Sequence, residues 1–125
     1  GHNADSTFGF DSRRPGWGTP IHQLLVETGV TAVFHGHDHF YDKQVLDGIV
    51  YQLVPQPSFA RADGSQSATA YGYLSGEILS SSGYLRIRVS PAQATVEYVK
   101  VYAPGLGGGL QTGTVATSYT LAPRP

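Results

Sequence analysis

Three histidines stand two residues apart in the run Val33-Phe34-His35-Gly36-His37-Asp38-His39. The chain has five histidines in all, and three of them fall within five positions. Neutral imidazole is the commonest protein metal ligand near neutral pH. The apolar segment before the cluster, Val30 to His35, reads as a short buried strand. Side chains two apart on a strand point the same way, at a rise of about 3.3 Å per residue. Gly36 allows a sharp turn or a close approach to a ligand just before His37. A strand that stops abruptly in such a cluster is a means of delivering imidazoles to a metal. His37 and His39 are therefore the candidate ligands. His35 either supports them from behind by hydrogen bonding or is a hydrogen-bonded core histidine. Asp38 either orients a neighbouring imidazole or caps the turn, and capping is its ordinary use.

The surrounding elements follow from local pattern. Residues 1–18 are polar, glycine-rich and aromatic, and read as a loop held by Phe8, Phe10 and Trp17. Thr19 suits an N-cap and Pro20 a first helical position. Ile21, Leu24 and Leu25 then recur at helical spacing until Gly29, which predicts a helix over 20–28. Asp47-Gly48 between two extended runs predicts a two-residue hairpin pairing 43–46 with 49–52. Residues 58–70 have no periodicity and read as an irregular loop, and Tyr71 to Leu79 is ambiguous. Tyr84 to Ser90 alternates Leu85, Ile87 and Val89 against Arg86 and Arg88, as a half-buried strand does. Ala94 to Tyr102 alternates again, and Val115 to Leu121 suits a last strand.

Other charged or aromatic residues have ordinary uses. Arg13 and Arg14 either reach a substrate phosphate or anchor the loop before Pro15-Gly16-Trp17. His22 sits beside the apolar face of the helix and reads as structural. Arg86 and Arg88 are the solvated side of their strand. Trp17 and the tyrosines are expected in packing.

Composition narrows the classes. Only 14% of residues are charged, with 16 glycines and eight tyrosines, which suits a β-rich, turn-rich chain. A net charge of −1 offers no basic field for nucleic acid. No apolar run is long enough to span a membrane as a helix. The absence of cysteine excludes disulfides, thiolate metal sites and thiol nucleophiles. Gly1-His2-Asn3-Ala4-Asp5 reads as the middle of a loop, so a truncated start is expected. One short helix cannot cover both faces of a sheet of about six strands. The expectation is a large exposed apolar surface, an open edge on the Val30–His35 strand, and self-association.

With Gly36-His37-Asp38-His39 closing a strand, the chain resembles the C-terminal half of a calcineurin-like metallophosphoesterase, a superfamily whose metal motifs end in Gly-His-x-His. The resemblance runs on from Arg14-Pro15-Gly16-Trp17 through Gly36-His37-Asp38-His39-Phe40-Tyr41 to Asp47-Gly48-Ile49-Val50-Tyr51-Gln52 and Val54-Pro55-Gln56-Pro57-Ser58. It implies an α/β fold, a β-sandwich flanked by helices, mostly β in this part. Residues 1–103 would then be the C-terminal part of the domain, and 104–125 a glycine-rich segment with a last strand and tail. It implies two divalent or trivalent metal ions (Mn, Fe or Zn), one bound by His37 and the other by His39. The family's other ligand motifs, Asp-x-His, Gly-Asp-x-x-Asp and Gly-Asn-His, are absent from this sequence. His2 is left unassigned. The implied partners are a phosphate ester substrate and the N-terminal half of the same domain. The branch resembled suggests an exported or periplasmic protein.

The implied activity is hydrolysis of phosphate mono- or diesters by a dinuclear metal site. Two histidines alone cannot hold two such ions, so this chain is expected to bind metal weakly and to catalyse little. The alternative is a non-catalytic β-rich binding module of an exported protein. Composition favours that alternative, whereas Gly36-His37-Asp38-His39 at a strand end favours the phosphoesterase.

Overall fold

The computed structural model describes residues 5, 7–58, 68–73, 75–105 and 109–123. The chain divides into two compact units, Gly1–Val30 and Thr31–Pro125.

The first unit holds two short helices, α1 (Phe10–Arg13) and α2 (Ile21–Glu27). The loop expected over 1–18 thus contains one helical turn, closed by the Arg14 N–H on the Phe10 carbonyl at 2.8 Å. Aromatics do brace it. Phe8 and Phe10 stack at 6.1 Å, and Arg14 lies 5.9 Å from the Trp17 ring centroid. Helix α2 begins one residue later than the pattern suggests. Pro20, not Thr19, is the N-cap, and its carbonyl accepts the Leu24 N–H at 3.0 Å. The helix stops at a complete glycine cap. Gly29 takes φ 72°, its N–H donates to Val26, and the Val30 N–H donates to Leu25. No residue of α2 is buried; Ile21 and Leu24 are each half exposed.

The second unit is mostly β, in two sheets. Strands β1 (Ala32–His35), β2 (Tyr41–Leu46), β3 (Ile49–Leu53) and β4 (Glu77–Leu79) form the first, in the order β1-β3-β2-β4. Strands β5 (Gly83–Val89), β6 (Ala94–Lys100) and β7 (Val115–Leu121) form an antiparallel meander. The expected hairpin is present in the expected register, from Lys43 opposite Gln52 to Leu46 opposite Ile49. Asp47 and Gly48 take φ 48° and 75°, the two left-handed residues that the favoured hairpin turn requires.

Strand β1 runs parallel to β3 and, among the described residues, forms an edge of its sheet. Strand β4 resolves the ambiguous stretch before Leu79. It pairs with β2, placing Ile78 opposite Asp42. Register then fixes the faces. His35 lies beside Leu53, Leu53 opposite Asp42, and Asp42 opposite Ile78, so these four share one face. Phe40, Leu53 and Ala68 are buried together, with Tyr73 and Ile78 packed against them.

The opposite face carries Tyr41, Lys43 and Gln52, and it meets the meander. The Tyr41 and Tyr98 rings stack at 4.8 Å, Lys43 lies 4.7 Å from the Tyr119 ring, and the Tyr119 hydroxyl donates to Gln52 at 3.0 Å. Within the meander, Arg86 and Arg88 both donate to Glu97 across the pair, at 2.7 and 2.6 Å. The alternation read from sequence holds, but Ile87 and Val89 on the apolar row are exposed. The last strand, β7, occupies Val115 to Leu121 as expected and joins the sheet through β6. Most of the loop expected over 58–70 lies outside the described residues, as do Gly1 to Ala4, residues 106–108, and the final two residues. Among the described residues, no helix is long and apolar enough to cross a membrane.

Candidate functional site

The histidine cluster occupies the end of β1 and the loop that leads to β2. Regular strand geometry ends at His35. The loop is then tied down by backbone bonds from both sides. The His35 carbonyl accepts the Val54 N–H at 2.7 Å, and the His39 carbonyl accepts the Gln56 N–H at 3.2 Å and the Ser81 hydroxyl. Between these anchors the chain turns through two left-handed histidines, with φ 101° at His37 and 70° at His39. A side chain with a Cβ resists this region, at a cost on the order of 1–3 kcal/mol per residue. Glycine stands at position 36 of the loop, yet the left-handed positions carry imidazoles.

The side chains of His37 and His39 are exposed, and that of His35 is half-buried. His37 Nδ1 lies 2.7 Å from Asp38 Oδ1, and the Tyr73 hydroxyl donates to Asp38 Oδ2 at 2.7 Å. The Asp38 side chain is 15% exposed against 85% for His37, so the carboxylate is the shielded member of the pair. Burial pushes the Asp38 carboxyl up. Hydrogen bonds from His37 and Tyr73, and the charges of His37 and His35, outweigh it and hold the group below the ordinary carboxylate range. Burial and the bond to Asp38 raise the Tyr73 phenol. Tyr71 meets the His37 ring edge-on at 6.5 Å. A shallow cavity of about 430 Å³ opens beside these groups, lined by Asp38, Gln44, Tyr71, Gly72, Tyr73 and Ser75.

The sequence-derived site residues therefore fall into two places. His35, His37, Asp38 and His39 lie in one strand end and loop of the second unit. Arg13 and Arg14 lie in the first unit, where with Phe8, Phe10, Ile21 and His22 they line a cavity of about 540 Å³. Asp38 is bonded to His37 on one oxygen and to Tyr73 on the other. Tyr71 and Tyr73 are the residues that sequence reasoning missed. They sit in a stretch with no clear period, and nothing local links Tyr73 to a carboxylate 35 positions away.

The donor chemistry of His37 and His39 suits a borderline divalent ion such as zinc. Among the described residues, no group of three or more His, Cys, Asp or Glu side chains gathers to hold one. The two imidazoles thus fit part of a metal shell and not a whole one. His2 lies outside the described residues.

A scan against protein-family models finds no match, and a search of curated proteins finds none. The fold and site define a β-rich α/β chain with a strained, anchored histidine loop at the end of an edge strand.

Proposed function

We propose that this chain supplies part of the dinuclear metal site of a phosphoesterase that hydrolyses phosphate mono- or diesters. The observation that carries the proposal is the pair of left-handed histidines, His37 and His39, in an anchored loop at a strand end. Strained residues of this kind persist where surrounding structure over-determines them, and they cluster at functional sites. The strain buys two exposed imidazoles from one short loop. Two bound cations roughly 3.5–4 Å apart would polarise the phosphoryl group and lower the pKa of a bound water. The chain's own residues hold and orient. His37 and His39 donate nitrogen, Asp38 fixes one imidazole, and the bonds from Gln56 and Ser81 fix the loop at His39.

The remaining ligands would come from further strands that pair with the free edge of β1. That edge is what supports the idea: among the described residues no strand pairs with it, and an open edge beside the histidines is a template for another strand.

The test is titration of the chain with Mn²⁺ and Zn²⁺ by calorimetry, with aryl phosphate turnover measured in parallel. The expected result is weak binding that is lost in His37→Ala and in His39→Ala, with little turnover by the chain itself. Binding indifferent to both substitutions would overturn the proposal and favour a non-catalytic binding module.

A further inference from the structure

The bond between His37 and Asp38 bears on proton position. A neutral imidazole carries one N–H and one lone pair, and which nitrogen carries the proton depends on what the ring is bonded to. Asp38 is a carboxylate with both oxygens engaged, Oδ1 with His37 and Oδ2 with Tyr73. An ionised carboxylate only accepts, so the proton in the His37 contact belongs to Nδ1. The Tyr73 hydroxyl is the donor on the other side, and its ring is held edge-on against Phe40 at 5.2 Å. A phenol packed against the core thus holds a shielded carboxylate, and the carboxylate holds an exposed imidazole.

We propose that Asp38 and Tyr73 are positioning residues: the chain Tyr73–Asp38–His37 fixes the Nδ1–H tautomer of His37 and leaves Nε2 as the only lone pair the ring can offer a ligand. The consequence for metal binding rests on the function proposed above; the tautomer does not. Histidine free in water favours the opposite tautomer, so the protein must impose this one. Partners of this kind orient metal-binding imidazoles and raise their basicity, and losing one typically costs about 10–100-fold in affinity. The backbone at His37 is left-handed, at φ 101°, and the next residue, Asp38, receives its imidazole.

The test is ¹⁵N NMR of the histidine rings in the metal-free 125-residue chain, at a pH where the ring shifts themselves show the neutral form. Magic-angle spinning serves if the chain associates. The expected result is His37 as Nδ1–H in the native chain and a shift toward Nε2–H in Asp38→Ala. Asp38→Glu should restore part of the native signal. Tyr73→Phe keeps the ring packing and removes only the hydroxyl, so it should move the tautomer in a chain whose amide spectrum is otherwise native. Zn²⁺ affinity should fall at least about tenfold in Asp38→Ala. Nε2–H at His37 in the native chain, or a tautomer unmoved by both Asp38→Ala and Tyr73→Phe, would overturn the inference. If the tautomer is Nδ1–H and no Zn²⁺ binds through His37, the hydrogen-bond chain stands and the metal proposal fails. If Zn²⁺ binds through His37 in a chain that is Nε2–H when free, this inference alone fails.

Discussion

Two turns flank β2, and both pass through consecutive or near-consecutive left-handed residues. In the turn between β2 and β3 these are Asp47 and Gly48, at φ 48° and 75°. In the loop between β1 and β2 they are His37 and His39, at φ 101° and 70°. The first turn uses residue types that tolerate the conformation, and its register follows from them. The second places two imidazoles there, where glycine would be less strained, and its shape is held by bonds from Val54, Gln56 and Ser81. The contrast is between a turn whose residue types suit its backbone and a loop that carries imidazoles where glycine would be easier, and the proposed metal role rests on the second.

The largest expected effect lies on the side of the histidines. His37→Ala or His39→Ala should each abolish the weak Mn²⁺ or Zn²⁺ binding, with the melting temperature nearly unchanged, as read by calorimetry and thermal unfolding. If metal affinity holds in both, the two turns differ in residue type but not in purpose.

Next comes a cost that the hairpin carries in its arm and not in its turn. Asp42 on β2 is 1% exposed, with one oxygen bonded to Gln44 at 2.9 Å and the other without a partner among the described residues. Burial raises its carboxyl to about 6, against opposing bonds from Gln44 and the Lys43 N–H. A native pKa above the ordinary 3.8 means that the folded chain holds this proton more tightly than the unfolded one. Its contribution to stability is fully present below the ordinary value and is lost as pH rises through about 6. Asp42→Asn should therefore gain on the native chain between about pH 5 and 7, by on the order of 1 kcal/mol. Denaturant titrations at the two pH values read this difference, and an advantage that shrinks as pH rises would show Asp42 to be stably ionised.

Smaller effects test the turns themselves. Gly48→Ala should destabilise by about 1–2 kcal/mol, because a Cβ is unwelcome at φ 75°. His39→Gly should do the opposite and hold or raise stability by up to about 1 kcal/mol, since it relieves φ 70° while the carbonyl keeps its two donors. Equal losses in both variants would mean that the histidine loop is no more strained than the hairpin, and the comparison would lose its point.

The free edge of β1 gives the last prediction. With α2 unburied and β1 at a sheet edge, the chain should self-associate in size-exclusion chromatography with light scattering. A clean monomer with a cooperative melt would show that the edge and helix need no cover.

Much of this was legible in the residues because it is local. Asp47-Gly48 specifies a turn through its own backbone preferences, and the hairpin register follows by counting. Gly29 ends α2 through bonds that span only a few residues, and β7 shows its alternation without help. The histidine cluster was visible as a spacing. What the sequence could not decide is whatever depends on residues far apart in the chain. The alternation after Tyr84 shows a face but not whether anything covers it, and Ile87 and Val89 stay exposed. Asp38 is a turn residue by type; its role depends on Tyr73, which only tertiary packing against Phe40 brings to it. The left-handed shape of the histidine loop likewise comes from Val54, Gln56 and Ser81, whose bonds exist only once the strands have paired. Residue types and spacing therefore determined which groups could do chemistry. Long-range hydrogen bonds and burial decided how those groups are held.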